Sequence, residues 1–157
     1  MTVQDSTYYV YPTPHGAITI ATSDEAITCV AFGDIVLEGI KKPSELSNRA
    51  ASELQEYFAG KRHEFDLPLD PKGSVFQRAV WSEIEHIPYG QSMTSSEIAG
   101  MLARHSAMRA VGFAARRNPI EILIPSHRVV NAHGQALGVD KVSQLKFALL
   151  EFEKRNL

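Results

Sequence analysis

The pattern of apolar and polar positions changes character about halfway along the chain. The first part carries three runs rich in β-branched and aromatic residues. Tyr8-Tyr9-Val10-Tyr11 is closed by Pro12 and Pro14, and Gly16-Ala17-Ile18-Thr19-Ile20-Ala21-Thr22 follows. Ser23-Asp24-Glu25 separates that run from Ala26-Ile27-Thr28-Cys29-Val30-Ala31-Phe32. Runs of this kind with polar turns between them predict an antiparallel meander. Beyond it, Ser47-Asn48 suits the cap of a helix from Arg49 to Phe58. Ala51, Leu54 and Phe58 would share its apolar face, and Gly60 would stop it. The stretch Leu67 to Ser74, rich in proline, aspartate and glycine, reads as a linker between domains spanning 1–70 and 75–157.

From Val75 the spacing becomes helical. Phe76, Val80, Trp81, Ile84 and Ile87 recur along one face, and Pro88-Tyr89-Gly90 ends the run. Thr94 and Glu97 form the S/T-x-x-E capping arrangement, which predicts a helix carrying Ile98, Ala99, Met101 and Leu102. Ser106 suits the cap of the next helix, through Met108, Val111 and Ala114 to Arg117, where Asn118-Pro119 stops it. Two short helices around a tight polar turn make a helix-turn-helix pattern, whose second member usually enters a DNA groove. That second helix is built from small residues (Ala107, Ala110, Gly112, Ala114, Ala115) with Arg109, Arg116 and Arg117 supplying charge. Smooth faces and arginines suit close approach to phosphates and insertion between base pairs. They equally suit a helix packed on its neighbours with arginines solvated at its C-terminal end. A final amphipathic segment, Ser143 to Arg155, places Leu145, Ala148, Leu149 and Phe152 on one face.

Between these helices lies Ile122-Leu123-Ile124-Pro125-Ser126-His127-Arg128-Val129-Val130. An apolar run is turned by a proline and followed by a hydroxyl, an imidazole and a guanidinium. Asn131-Ala132-His133-Gly134-Gln135 then reads as a tight reversal forming a small wing or loop. Glu153 follows Phe152 directly; taken alone, it reads as a surface glutamate.

Composition narrows the picture. At 157 residues, with 44% hydrophobic and 22% charged side chains, the chain is sized for one ordinary domain or two small ones. The single cysteine, Cys29, cannot form an internal disulfide and falls inside a strand, where a buried, inert thiol is expected. Met1–Asp5 lacks the basic start and apolar core of a secretory signal, and no apolar run approaches a bilayer span. A cytoplasmic, DNA-associated location is expected, or a nuclear one in a eukaryote. The six histidines lack metal-ligand spacing, so neither a metal nor another cofactor is expected, and His63 and His86 read as surface residues. The net charge of −2 divides unevenly: ten acidic against five basic side chains through Asp66, then eight against eleven. A mildly basic second half suits a nucleic-acid contact, as it suits an ordinary solvated surface.

Five ordered motifs together resemble the O6-alkylguanine-DNA alkyltransferase family, the methylated-DNA–protein-cysteine methyltransferases. They are Phe76-Gln77-x-x-Val80-Trp81, Ile87-Pro88-Tyr89-Gly90, Arg109-Ala110-Val111-Gly112 with Asn118-Pro119, Ile124-Pro125-Ser126-His127-Arg128-Val129, and Leu149-Leu150-x-x-Glu153. The resemblance runs from Val75 to Glu153; before Asp66 it rests on general layout. It implies an α/β protein with a small N-terminal domain of antiparallel sheet plus helix, ribonuclease H-like. A mostly α, winged helix-turn-helix domain would follow. It also implies double-stranded DNA as partner, bound in the minor groove, with an arginine intruded and a damaged guanine flipped out. On that resemblance Arg109 is the intruding arginine, and Asn118 orders the site turn. His127 is the base acting through water, and Glu153 orients it. Thr94, Ser95, Ala107, Gly112, Arg116 and Arg128 join the DNA-contacting set, and Pro125, Val139, Lys141 and Val142 the pocket.

The chain departs from the family pattern at the residue that accepts the alkyl group. The family has cysteine where Ser126 stands, tyrosines at the places of Ser95 and Val139, and a Gly-Gly pair at Lys141-Val142. A cysteine is partly ionised near neutrality and attacks an ether carbon as thiolate, whereas a serine hydroxyl ionises far less readily. The leading expectation is therefore a DNA-binding homologue that holds alkylated guanine without transferring the alkyl group, comparable to the alkyltransferase-like proteins, and passes it to other repair proteins. The alternatives are an alkyltransferase disabled by cysteine-to-serine change at Ser126, a helix-turn-helix regulator, and a serine hydrolase using Ser126 with His127 or His133. The last lacks a Gly-x-Ser-x-Gly elbow.

Overall fold

A computed structural model describes residues 6–157. Met1–Asp5, on which the expectation of no secretory signal rests, lie outside the described residues. The chain forms two compact units. One holds the residues up to Lys72 together with Pro119–Glu121, and the other holds Gly73–Asn118 and Ile122–Leu157. Residues 119–121, which the sequence places within the second domain, thus pack with the first.

In the first unit, β1 (Thr7–Thr13), β2 (Gly16–Thr22) and β3 (Ile27–Phe32) form the expected antiparallel meander. A two-residue strand, β4 (Ile40–Lys41), adds to β1 in parallel, giving the order β3-β2-β1-β4. Pro12 falls inside β1 rather than closing it. The central strand β2 is buried on both faces from Ile18 to Thr22, so its polar Thr19 must be satisfied within the protein. The Thr19 hydroxyl donates to the Gly33 carbonyl at 2.7 Å and accepts the Ile35 amide at 3.1 Å.

Helix α1 (Glu45–Phe58) covers this sheet with Ala50, Leu54 and Tyr57, all buried. It starts earlier than Ser47-Asn48 suggests. Ser44 is the cap, and Ser47, in the first turn, returns a hydrogen bond from the Ser44 amide. The stretch read as a linker is also partly bound. The Ile27 amide donates to the Pro68 carbonyl at 2.9 Å, and the Asp70 amide to the Ile27 carbonyl at 2.8 Å. Pro119 and Glu121 pair with Val30 in the same way. The outer edge of β3 is thereby covered by short isolated segments rather than left open to pairing. Cys29 on β3 is half-buried, and burial followed by the Glu121 carboxylate raises its thiol pKa, which keeps it protonated.

The second unit is mostly helical. Helix α2 (Val75–Glu85) begins at a Ser74–Gln77 capping box and buries Val80, Trp81 and Ile84. The Trp81 indole donates to the Ala114 carbonyl at 2.9 Å, which ties α2 to α4 (Met108–Arg116). Helix α3 (Ser95–Met101) has the predicted Thr94–Glu97 box. Helices α3 and α4 form the helix-turn-helix pair. Ser106 does not cap α4, which has no side-chain cap. A 3-10 turn, His105–Ala107, leads into it instead, closed by the Ala107 amide on the Arg104 carbonyl at 2.8 Å. Strands β5 (Met93–Thr94) and β6 (Val129–Val130) pair in parallel. The Asn131 carboxamide oxygen accepts the His133 and Gln135 amides and makes the expected tight reversal.

The last helix, α5 (Lys141–Arg155), is capped by Asp140. Its buried stripe is Ser143, Leu149, Leu150 and Glu153; Ala148 is exposed, while Leu145 and Phe152 are half-buried. The helix is turned from the face that apolarity alone selects, because Glu153 points inward. No helix among the described residues is long and apolar enough to cross a membrane.

The Ser44 cap supplies the first check on this fold. Ser44→Ala should lower stability by about 1 kcal/mol, measured as a lower urea midpoint with unchanged slope. A change in slope, or none in midpoint, would contradict the capping box.

Candidate functional site

The site is organised by a carboxylate with no access to solvent. Glu153 is 0% exposed, and each of its oxygens accepts two hydrogen bonds. Oε1 takes the Gly90 amide at 2.9 Å and the Arg128 Nε at 2.8 Å. Oε2 takes the His127 Nε2 at 2.5 Å and an Arg128 terminal nitrogen at 3.0 Å. Arg128 therefore grips the carboxylate at two points, the geometry a guanidinium favours. Its other terminal nitrogen donates to the Ile87 carbonyl at 2.6 Å, and its plane lies 5.6 Å from the Tyr89 ring centre.

This arrangement explains Ile87-Pro88-Tyr89-Gly90 physically: the turn supplies a carbonyl, a ring and an amide to the buried charges. Gly90 has φ of +76°, a backbone conformation that selects glycine; the nearest atoms to a Cβ there belong to the exposed Leu157 side chain, which can move aside. Arg128, placed among DNA-contacting residues by the resemblance, is only 5% exposed and wholly engaged inside the protein. It is a structural counter-ion.

The charges can be assigned. Burial alone would raise the Glu153 carboxyl. The hydrogen bonds from His127 and Arg128 and the positive charge of Arg128 outweigh it and hold Glu153 ionised, far below the ordinary carboxylate range. His127 shifts downward from 6.5, chiefly because burial disfavours its charged form, although Glu153 opposes the change. A neutral imidazole that donates from Nε2 to Glu153 keeps Nδ1 as its acceptor nitrogen.

Ser126, His127 and Arg128 form one 3-10 turn after Pro125. Asn118, just past α4, fixes it: its side-chain amide donates to the Ile124 carbonyl at 2.7 Å and to the Ser126 hydroxyl at 3.1 Å. Ile122, buried in the run leading to this turn, adopts φ of +71°, an uncommon left-handed conformation for a β-branched residue.

Above Ser126 and His127 lies a cavity of about 390 Å³, bounded by α4, the site turn, the loop before α5 and α5 itself. That volume lies in the usual range for a small-molecule site. Its charged lining is Arg116, Arg117 and Lys146 against Asp140, so it favours a partner with negative character. Val142 lines it, but Lys141 and Pro125 do not. Val139 is 90% exposed and does not line it either, which corrects the pocket drawn from the resemblance. Ala136, Leu137 and Asp140, on either side of position 139, do line the cavity, so the loop borders it with the Val139 side chain alone turned to solvent. Six lining residues escaped the sequence reading: Phe113, Ala136, Leu137, Asp140, Lys146 and Phe147. Phe113 and Phe147 lie off the apolar stripes that identified their helices, and that displacement was the available signal.

Among the residues assigned to DNA contact, Arg109 and Arg116 are exposed on α4, and Ala107 is half-buried in the 3-10 turn before it. The Thr94 hydroxyl is used by the α3 cap. Ser95 is only 7% exposed, its hydroxyl has no hydrogen-bond partner, and a Cβ on Gly112 would lie 3.3 Å from it. Ser95 and Gly112 are thus where α3 and α4 meet closely, so Ser95 does not face outward. Their small size is explained first by helix packing.

Known proteins with this architecture define its class: a ribonuclease-like domain followed by a DNA-binding domain of the alkyltransferase type. Residues 7–71 match the model of the "6-O-methylguanine DNA methyltransferase, ribonuclease-like domain", and residues 75–155 that of the DNA-binding domain of the same proteins. The chain belongs to the O6-methylguanine DNA methyltransferase family. It is 37% identical over 155 residues to a methylated-DNA–protein-cysteine methyltransferase of Methanosarcina acetivorans, covering 93% of this chain and 97% of that one. The constitutive methylated-DNA–protein-cysteine methyltransferase of Bacillus subtilis is 36% identical over 156 residues, with 94% of each chain covered. The crystal structure of Mycobacterium tuberculosis O6-methylguanine methyltransferase superposes with a TM-score of 0.89 at 35% identity, covering 97% of this chain and 94% of that one. The M. tuberculosis protein in complex with DNA gives 0.87 at 35% identity, covering 96% and 94%.

The buried network predicts how stability depends on pH and on its charges. Glu153, with its folded pKa lowered, contributes stability that is complete above the ordinary carboxylate value of 4.5 and is lost as pH falls toward the folded value. His127, also lowered, binds its proton more readily when unfolded, so it too costs stability as pH falls below 6.5. Both act in one direction: the unfolding temperature should fall steadily on acidification from pH 7.5 to pH 4. A His127→Gln variant should lose the portion of this slope just below pH 6.5. Glu153→Gln leaves Arg128 buried without its counter-charge and should cost about 3–5 kcal/mol in denaturant unfolding. A loss under about 1 kcal/mol, comparable to an exposed pair, would refute the network.

Proposed function

We propose that this protein binds double-stranded DNA through α3 and α4 and accepts a flipped O6-alkylguanine in the cavity above Ser126 without taking the alkyl group. The carrying observation is the floor of that cavity. Ser126, at the position of the family's acceptor cysteine, presents a hydroxyl held by Asn118, beside an imidazole committed through Nε2 to Glu153. Alkyl transfer from the guanine oxygen needs a nucleophile that is substantially ionised near neutral pH. A thiol meets that condition with a partner histidine; an alcohol does not. Arg109, exposed on α4, is the residue assigned to enter the base stack, and the basic cavity lining suits the approach of a phosphodiester. The lesion, once held, would be handed to other repair proteins.

A second reading is favoured by one specific observation. The Asn118 contact to position 126 and the His127–Glu153–Arg128 network are fully assembled around the Ser126 hydroxyl, although Ser95, Val139 and Lys141-Val142 depart from the family pattern as well. On this reading the protein is an alkyltransferase disabled by a cysteine-to-serine change.

Two measurements separate these readings. At fixed salt, the protein should bind a duplex containing O6-methylguanine more tightly than the same duplex with guanine; equal affinities would remove lesion recognition. Mass spectrometry after incubation should show no methyl gain on the peptide containing Ser126. If Ser126→Cys then acquires the methyl group, the disabled-enzyme reading prevails. Continued inactivity of that variant, with lesion binding intact, supports the binding protein.

A further inference from the structure

Phe113 and Phe147 are the two exposed phenylalanines of the described residues, at 57% and 42% exposure, and both line the cavity above Ser126. They come from different helices, Phe113 from α4 and Phe147 from α5. An exposed phenyl ring on its own needs no explanation, but two such rings at one cavity set it apart from the remaining surface. Phe113 stands four residues after Arg109, so the two share a face of α4 and lie one helical turn apart. The Arg117 guanidinium lies 4.4 Å from the Phe113 ring centre, which leaves that ring in a cationic setting beside Arg116. Meanwhile the position where the family places a pocket tyrosine, Val139, is 90% exposed and off the cavity, and the other, Ser95, is packed against Gly112.

We propose that Phe113 and Phe147 are the aromatic walls of this pocket, which receive a purine ring turned out of the duplex and set its specificity by stacking. The inference rests on the flipping reading above and adds the residues that perform the recognition. A flipped base loses its stacking partners and is held best where it regains them on aromatic faces. The two helices bounding the cavity supply such faces, and Arg117 against Phe113 adds a flat cation at its rim. Because the rings belong to helices rather than to the loop around Val139, the walls are more rigid than the loop position would make them.

The test compares affinities for three duplexes identical except at one base: guanine, O6-methylguanine and O6-benzylguanine. They are measured by fluorescence anisotropy at one salt concentration for the wild type, Phe113→Leu, Phe147→Leu and Phe147→Tyr. Leucine keeps apolar bulk without an aromatic face; tyrosine keeps the face. Each leucine variant should lose about tenfold of the preference for modified over plain duplex, read as the ratio of the two affinities so that any common change in duplex binding cancels. Phe147→Tyr should retain the preference. A wild type that binds all three duplexes equally overturns the flipping reading and this inference with it. A wild-type preference that survives in both leucine variants overturns the aromatic walls alone, as does an equal loss of affinity for every duplex.

Discussion

The structure of the second unit depends on one buried carboxylate. Glu153 would be expensive to place out of contact with water unless every lone pair found a donor. Gly90, His127 and both edges of the Arg128 guanidinium provide four. Meeting that demand sets other features in turn. It rotates α5 so that Glu153 rather than Ala148 faces inward, draws Arg128 away from the surface, and requires the tight turn at Gly90. Removing any partner would leave a buried charge or donor uncompensated, so the group holds as a unit.

Above that network, the floor of the cavity and its walls follow different rules. The floor keeps the arrangement of Asn118, His127 and Glu153 that the family motifs lead one to expect, with a hydroxyl at the centre. The walls do not keep the family's aromatic positions. Val139 turns to solvent and Ser95 fills the close contact between α3 and α4, while rings are presented instead by Phe113 and Phe147. Fold and sequence together place the chain in its family.

Local pattern carried much of this into view. The β-branched runs, the Thr94–Glu97 box and the helical spacing after Val75 are short-range signals. Their physical causes, alternation across a pleat, reciprocal capping and a 3.6-residue repeat, are complete within a few residues. Boundaries were less legible. Ser44, not Ser47, caps α1, and Ser106 caps nothing, because several hydroxyls near a helix start are equivalent until the chain direction selects one. The segments 68–70 and 119–121 read as connections, yet both hydrogen-bond to β3, since pairing partners far apart in sequence leave no local trace.

By itself the sequence determined the order and type of the main elements, the motif Pro125-Ser126-His127-Arg128, and the family to which these residues belong. Those properties depend on residue identity and near neighbours. Only the tertiary structure decided which charged residues turn inward. A glutamate beside an apolar stripe and an arginine after a histidine look solvated in isolation, and they become buried only because each supplies what the other needs. It likewise decided the pocket walls, because Phe113 and Phe147 are 34 residues apart in the chain and become one surface only when α4 and α5 bound the same cavity.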